Sequence, residues 1–365
     1  VNSSPAWGSF LSQLYATQLR KIDSAFEDLL DRRINISAKT RSKASDSQNH
    51  LRDFLVSEGT RDASFPRALS NADSDFLGGS FARHTKNWPL DDIDIYIPLD
   101  GAGLFYMENG RRLPYTVLSD GVLWWNPLCS DRWMNGQFIS SAKLVSEFAR
   151  VLARHYPRET EVRANGECVT VRMKQGQTTN SDGLGYDVVP CFLLKPDAPS
   201  EFEFYLMPNG AGGWQRTNPK LDTDLCEILN AFHNKIYRKV VKLVKYWNGI
   251  RVNSSFSSYY IEFAVSLEFW KLKKENKALT SISEGLAIAF GALERAFLAG
   301  DQTPWISGAP PIEKPLLTPG QCLAVSLSKI TSELAVAYEK NGNDGEAHNQ
   351  WASLFGDGYQ KVYGS

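Results

Sequence analysis

Apolar residues recur at helical spacing from about residue 10 to residue 30, at Leu11, Leu14, Leu19, Ile22, Phe26, Leu29 and Leu30, and predict an N-terminal helix. A more polar helix is predicted from Gln48 to Val56, stopped by Gly59. From Asp75 the period changes. Phe76 to Ser80 runs into a glycine turn, and Asp92 to Pro98 alternates acidic or polar residues with Ile93, Ile95 and Ile97, the period of a strand. A loop-rich stretch carrying Trp124, Trp125 and Trp133 follows, then a helix from Ser141 to His155 with Leu144, Val145, Phe148 and Leu152 on one side. Two further strands are predicted at Cys168 to Met173 and Tyr186 to Leu194, on either side of the polar loop Lys174 to Gly183. After a turn-rich segment from Pro208 to Pro219 the pattern is helical at Asp224 to Trp247, Tyr259 to Lys273, Ile282 to Ala299 and Cys322 to Tyr338. No internal repeat is present. The expectation is an α+β protein with a mixed sheet flanked by helices in residues 1–220, N-terminal helices included, and a helical lobe in residues 221–365 that closes a cleft.

Composition narrows the function. A chain of 365 residues, 42% hydrophobic, buries a sizeable core and excludes general disorder. Forty basic against 41 acidic residues leave a net charge of -1, so no global field holds a long nucleic acid, and any anionic ligand must meet a local cluster. The five cysteines, Cys129, Cys168, Cys191, Cys226 and Cys322, form no CxxC pair, which argues against a disulfide framework or a structural zinc site and points to a reducing cytoplasm. No run of about 18 apolar residues predicts a membrane span.

Against that neutral background the acids of the alternating strand stand out. Side chains two apart share a face, so Asp92 and Asp94 present adjacent carboxylates while Ile93 and Ile95 turn to the core. Such a pair repels itself and calls for a cation; magnesium, a hard ion that prefers carboxylate and phosphate oxygens, is the natural one, with manganese as substitute. Alone, a DxD is ordinarily a solvent-facing strand. Here Gly79-Ser80 precedes it, a turn that lets backbone approach a ligand and offers a hydroxyl and N–H to a triphosphate. A third acid, Asp187, opens the apolar run Val188, Val189, Cys191, Phe192, where it is either a turn residue or the third member of a centre for two ions. Lys242 and Lys245 share a helix face and either neutralise phosphate or face solvent. Ser258 at a helix start could bind phosphate or cap, and Tyr259 could stack on a base or pack in the core.

Gly79-Ser80, Asp92-Ile93-Asp94 and Asp187 resemble the signature of DNA polymerase β-like nucleotidyltransferases. Gly78 to Thr85 leading to Asp91 through Ile95 is similar to the bacterial CD-NTases, relatives of animal cyclic GMP-AMP synthase and the 2′-5′ oligoadenylate synthetases. Trp214 to Pro219, Lys242 to Asn248 and Ser257 to Glu262 continue the likeness in order over residues 76–270. The resemblance implies a catalytic and metal-binding set of Asp92, Asp94 and Asp187 with two magnesium ions. It implies nucleotide binding by Gly79, Ser80, Lys242, Lys245, Ser258 and Tyr259, with Lys245 on the triphosphate and Tyr259 on the donor base. The implied activity is synthesis of a cyclic oligonucleotide second messenger from ATP and/or GTP in bacterial anti-phage signalling, by a cytoplasmic monomer whose product reaches an effector. A regulatory or ubiquitin-transfer-like partner acting near Tyr363-Gly364-Ser365 is a further implication. His84 stands where the family often has Gly or Asp, and the absence of a cysteine cluster argues against the zinc ribbon and DNA activation of the animal enzyme. A linear oligoadenylate synthetase, an RNA nucleotide-adding enzyme and a silent nucleotide-binding scaffold are the alternatives.

Overall fold

The structure, a computed structural model, describes residues 22–69, 76–101, 104–108, 115–119, 128, 130–136, 138–156, 160–173, 184–194, 203–305 and 309–359. The expectations for residues 10–21, for Trp124 and Trp125, for the loop 174–183 and for the C-terminal residues 363–365 fall outside these. The first element, α1, is helical over residues 22–29 and ends in a π-turn, Leu30–Ile34. It is followed by α2 (Ala38–Arg61), β1 (Phe76–Leu77), α3 (Gly79–Ala82), β2 (Ile93–Pro98), β3 (Leu104–Glu108) and β4 (Tyr115–Ser119). Then come β5 (Met134–Asn135), β6 (Phe138–Ile139), α4 (Ser141–His155), β7 (Thr160–Asn165), β8 (Cys168–Met173), β9 (Gly185–Leu194), β10 (Phe204–Pro208) and β11 (Trp214–Thr217). The remainder is helical: α5 (Pro219–Phe232), α6 (Ile236–Val252), α7 (Ser258–Lys274), α8 (Ile282–Ala299), α9 (Pro319–Lys340) and α10 (Asp344–Phe355).

The sheet is organised on β9, whose ten residues are long enough to serve three neighbours. Its first half runs parallel to β2 and antiparallel to β8, and its far end turns to pair with β10, which continues antiparallel to β11. Alternation along β2 has the expected consequence: Ile93, Ile95 and Ile97 are buried with Leu144, Phe148 and Val188, leaving Asp94 and Tyr96 on the other face. The second core is helical, built on Val240, Val244, Trp247, Tyr260 and Phe290. Helix α1 belongs to it, since Phe26 packs edge-on against Trp351 at 5.2 Å between ring centres; the earliest described helix thus joins the C-terminal helices rather than the sheet.

Three local expectations are corrected. Helix α2 runs through Gly59 instead of stopping there, because the glycine admits the backbone of Pro66, whose carbonyl oxygen would lie 3.0 Å from a Cβ. The helix expected from Asp224 to Trp247 is two helices, broken where Asn234 and Lys235 take φ of +55° and +63°. The turn-rich segment from Pro208 to Pro219 contains the strand β11, and Asn218 then caps α5 by accepting from the Leu221 N–H at 3.0 Å, with Pro219 in the first turn.

Candidate active site

The acids meet because of register. In the parallel pair of β2 and β9, Asp94 lies directly opposite Asp187, and Asp92 stands just ahead of the strand. Antiparallel pairing with β8 sets Thr170 opposite Asp187, and the Thr170 hydroxyl donates to Asp187 Oδ1 at 2.8 Å. The glycine turn is laid on Asp94. The Gly78 N–H donates to the Asp94 carbonyl at 3.0 Å, and Gly79 has φ +62°. A Cβ on Gly79 would lie 1.6 Å from Asp94 Oδ2, so both conformation and space restrict this position to glycine. The Ser80 carbonyl closes the turn by accepting from the N–H groups of Thr85 at 2.9 Å and Lys86 at 3.0 Å.

Burial and the charges of Asp92 and Asp187 push the Asp94 carboxyl up to about 7. Burial also raises Asp92, opposed by Lys86, whose ammonium pairs with Asp92 and donates to Asp91 Oδ1 at 2.7 Å. The donor chemistry fits magnesium: hard oxygen ligands only, with burial and neighbouring carboxylates raising the Asp94 carboxyl in a way that a cation would offset. As placed, Asp92 faces Lys86 and Asp187 faces Thr170, and among the described residues no group of three or more His, Cys, Asp or Glu is gathered closely enough to grip an ion. An ion held by Asp92, Asp94 and Asp187 therefore requires the two outer carboxylates to turn inward.

Asp92 and Asp94 open onto a cleft of about 280 Å³ between the sheet and the helical lobe. Gly79, Ser80, Asp92 and Asp94 form one side of it; Asp222, Ser258 and Tyr259 form the other. Arg83 joins the two sides. Its Nε donates to Glu262 Oε2 at 2.6 Å, and Glu262 Oε1 pairs with Lys245 at 2.5 Å. All three side chains are less than a tenth exposed. Burial alone would raise Glu262, but the charges and hydrogen bonds of Arg83 and Lys245 outweigh it and hold the carboxyl at about 2. The Tyr259 ring lies 5.9 Å from the Arg83 guanidinium, and its hydroxyl donates to Asp222 Oδ1 at 3.4 Å. Burial lifts Asp222 to about 6 against the pull of Arg83.

No family model matches the chain. A probable cyclic nucleotide synthase of Bacillus cereus is 24% identical over 351 residues, 93% of this chain and 98% of that protein. Two solved structures of CdnC from E. coli MS115-1 share the fold at 16% identity. One, with ATP, aligns with a TM-score of 0.59 over 92% of this chain and 98% of its own. The other, a complex with HORMA-deltaN, aligns with a TM-score of 0.58 over 92% and 97%. The likeness fixes the fold: the chain is folded as CdnC is.

Within that fold the expected residues divide. Gly79, Ser80, Asp92, Asp94, Ser258 and Tyr259 line one cleft, and Asp187 sits beside Asp94. Ser258 is spared the capping task, because Ser257 accepts from the Tyr260 N–H at 3.1 Å. The two lysines are elsewhere. Lys245 stands behind Arg83, joined through Glu262, and Lys242 reaches outward to Asn35 Oδ1 at 2.8 Å. His84 is a loop side chain with φ +59° and contacts Arg41 at 2.9 Å. Arg83, Lys86 and Asp222 carry no role in the sequence reading. A signal for Arg83 is present in the sequence: a cation one turn after Ser80, on a face the turn must bury, needs an acid, and Glu262, a structural rather than catalytic group by its place in the sequence, supplies it. Among the described residues, Cys168, Cys191, Cys226 and Cys322 form no disulfide, and no helix is long and apolar enough to cross a membrane.

Proposed function

We propose that this enzyme joins ATP and/or GTP into a cyclic oligonucleotide, releasing pyrophosphate at each bond, with Asp92, Asp94 and Asp187 as its centre. The observation that carries the reading is the facing of Asp94 and Asp187 across β2 and β9, with Gly79-Ser80 resting on Asp94 at the edge of the cleft. The wide likeness to a probable cyclic nucleotide synthase, and to CdnC with ATP, supports it. When bound, magnesium supplies charge neutralisation at the α-phosphate and at the departing pyrophosphate.

The chain's own residues do the rest. Ser80 contributes its hydroxyl to the triphosphate, and Arg83, clamped by Glu262 and Lys245, contributes positive charge on the cleft wall. Tyr259 offers its ring to the donor base, and Ser258 its hydroxyl. Asp187, fixed on one oxygen by Thr170, takes the proton of the attacking ribose hydroxyl as that oxygen bonds to the α-phosphorus and pyrophosphate leaves. We assign the enzyme to bacterial anti-phage signalling, its product acting on an effector. The complex of CdnC with HORMA-deltaN supports a protein partner as regulator.

The test is incubation with each labelled nucleoside triphosphate, singly and mixed, with Mg²⁺ or Mn²⁺, followed by phosphatase and mass spectrometry. A phosphatase-resistant product with one phosphate per nucleoside is expected. A trimmed product with one phosphate fewer than its nucleosides refutes cyclisation and favours a linear product, and complete degradation to nucleosides and phosphate means that no internucleotide bond was made.

A further inference from the structure

Lys86 is the one basic side chain among the described residues that pairs with a carboxylate of the proposed centre. It bridges two acids of different standing. Both side chains are about half exposed, but Asp92 lines the cleft and Asp91 is not among its lining residues. Its backbone N–H is tied to the Ser80 carbonyl at 3.0 Å, so the residue belongs to the same turn that lies on Asp94. The ammonium is thus held where its four-carbon stem can pivot between Asp91 and Asp92 without moving the loop.

We propose that Lys86 is a tethered counter-ion of the acid cluster, which neutralises Asp92 while no metal is bound and retreats to Asp91 alone when a divalent cation arrives. The inference rests on the nucleotidyl-transfer reading of Asp92, Asp94 and Asp187. Three carboxylates brought together by strand register repel one another whether or not an ion is present, and Lys86 sits against the one at the entrance. A divalent ion and an ammonium on one carboxylate repel each other, so a cation held by Asp92 would favour departure of the Lys86 ammonium. Asp91 makes that displacement inexpensive, since Lys86 keeps a partner at 2.7 Å in either state. The arrangement makes metal affinity a property of Lys86 as well as of the three acids.

The proposal is tested on the full chain in two readouts that need no turnover. The first is amine labelling of Lys86, read by mass spectrometry, with and without saturating Mn²⁺. Labelling should rise several-fold when Mn²⁺ is bound, and Asp92→Ala should label at the higher level with or without metal. The second is Mn²⁺ affinity by electron paramagnetic resonance. Lys86→Met should bind at least about fivefold more tightly than wild type, and Lys86→Arg, which keeps the charge, should stay within about twofold of it. A wild type that binds Mn²⁺ with Lys86 labelling unchanged overturns the proposal and leaves the site assignment standing. A wild type that binds no Mn²⁺ overturns the site assignment and the proposal together.

Discussion

Two charged clusters share one cleft and are built in opposite ways. On the sheet, Asp92, Asp94 and Asp187 face each other with a single lysine at their edge, and Asp94 is driven up to about 7. Toward the helical lobe, Arg83, Glu262 and Lys245 form a buried group with one more cation than anion, and Glu262 is driven down to about 2. The first cluster has one lysine against three acids and has room for more positive charge. The second carries one surplus positive charge, with Arg83 on the cleft wall. Their difference suggests where each part of a metal–triphosphate belongs: cation against the sheet, phosphate against Arg83 and Ser80. It also separates function from stability, because only the sheet cluster is strained in the ion-free protein.

The comparison breaks most visibly in activity. We predict that Asp94→Asn lowers product formation by at least about a thousandfold, while thermal unfolding of the metal-free protein stays level or shifts upward as repulsion is relieved. An active Asp94→Asn would remove the sheet cluster from the chemistry. The helical cluster should respond in stability: Glu262→Ala leaves two buried cations without their acid and is expected to destabilise by about 3–5 kcal/mol in urea unfolding. A change below about 1 kcal/mol would mean that the triad is ornamental.

The two clusters should also titrate in opposite senses. In chelated protein, Asp94 holds a proton in the folded state between its ordinary 3.8 and about 7, so its contribution to stability falls as pH rises through that window. Added Mg²⁺ should reverse that trend. Glu262 contributes stability that is complete above its ordinary 4.5 and lost as pH falls through about 2. Unfolding measured against pH with and without Mg²⁺ resolves the two, and a metal-independent profile between pH 4 and 7 contradicts the contrast. The smallest effect distinguishes adjacent serines. Ser257→Ala should lose about 1 kcal/mol of stability through its cap, whereas Ser258→Ala should keep stability and raise the KM for nucleotide a few-fold.

The sheet cluster was legible in the sequence and the helical one was not, for physical reasons. Alternation fixes which face each residue of β2 presents, so Asp94 opposite the buried Ile93 and Ile95 is a local fact. Pairing with Asp187 needed one long-range step, the adjacency of two strands. The resemblance gave Lys245 its phosphate role, and helix spacing gave its face but not what packs there; Glu262, 17 residues later, is brought to it by the packing of α6 on α7. The edge strand β7 alternates only weakly, with Val162 and Ala164 between Glu161, Arg163 and Asn165, buries none of its residues and is held by its pairing with β8. The α5–α6 break was hidden because apolar periodicity continues across Asn234 and Lys235, while left-handed backbone at both residues ends it.

The most direct measurement is the anomalous scattering of Mn²⁺ in crystals of the protein with a non-hydrolysable ATP analogue. The account predicts density for manganese enclosed by Asp92, Asp94 and Asp187, with the triphosphate lying on Ser80 toward Arg83. Nucleotide bound with its phosphates away from these acids, and no manganese between them, would contradict it.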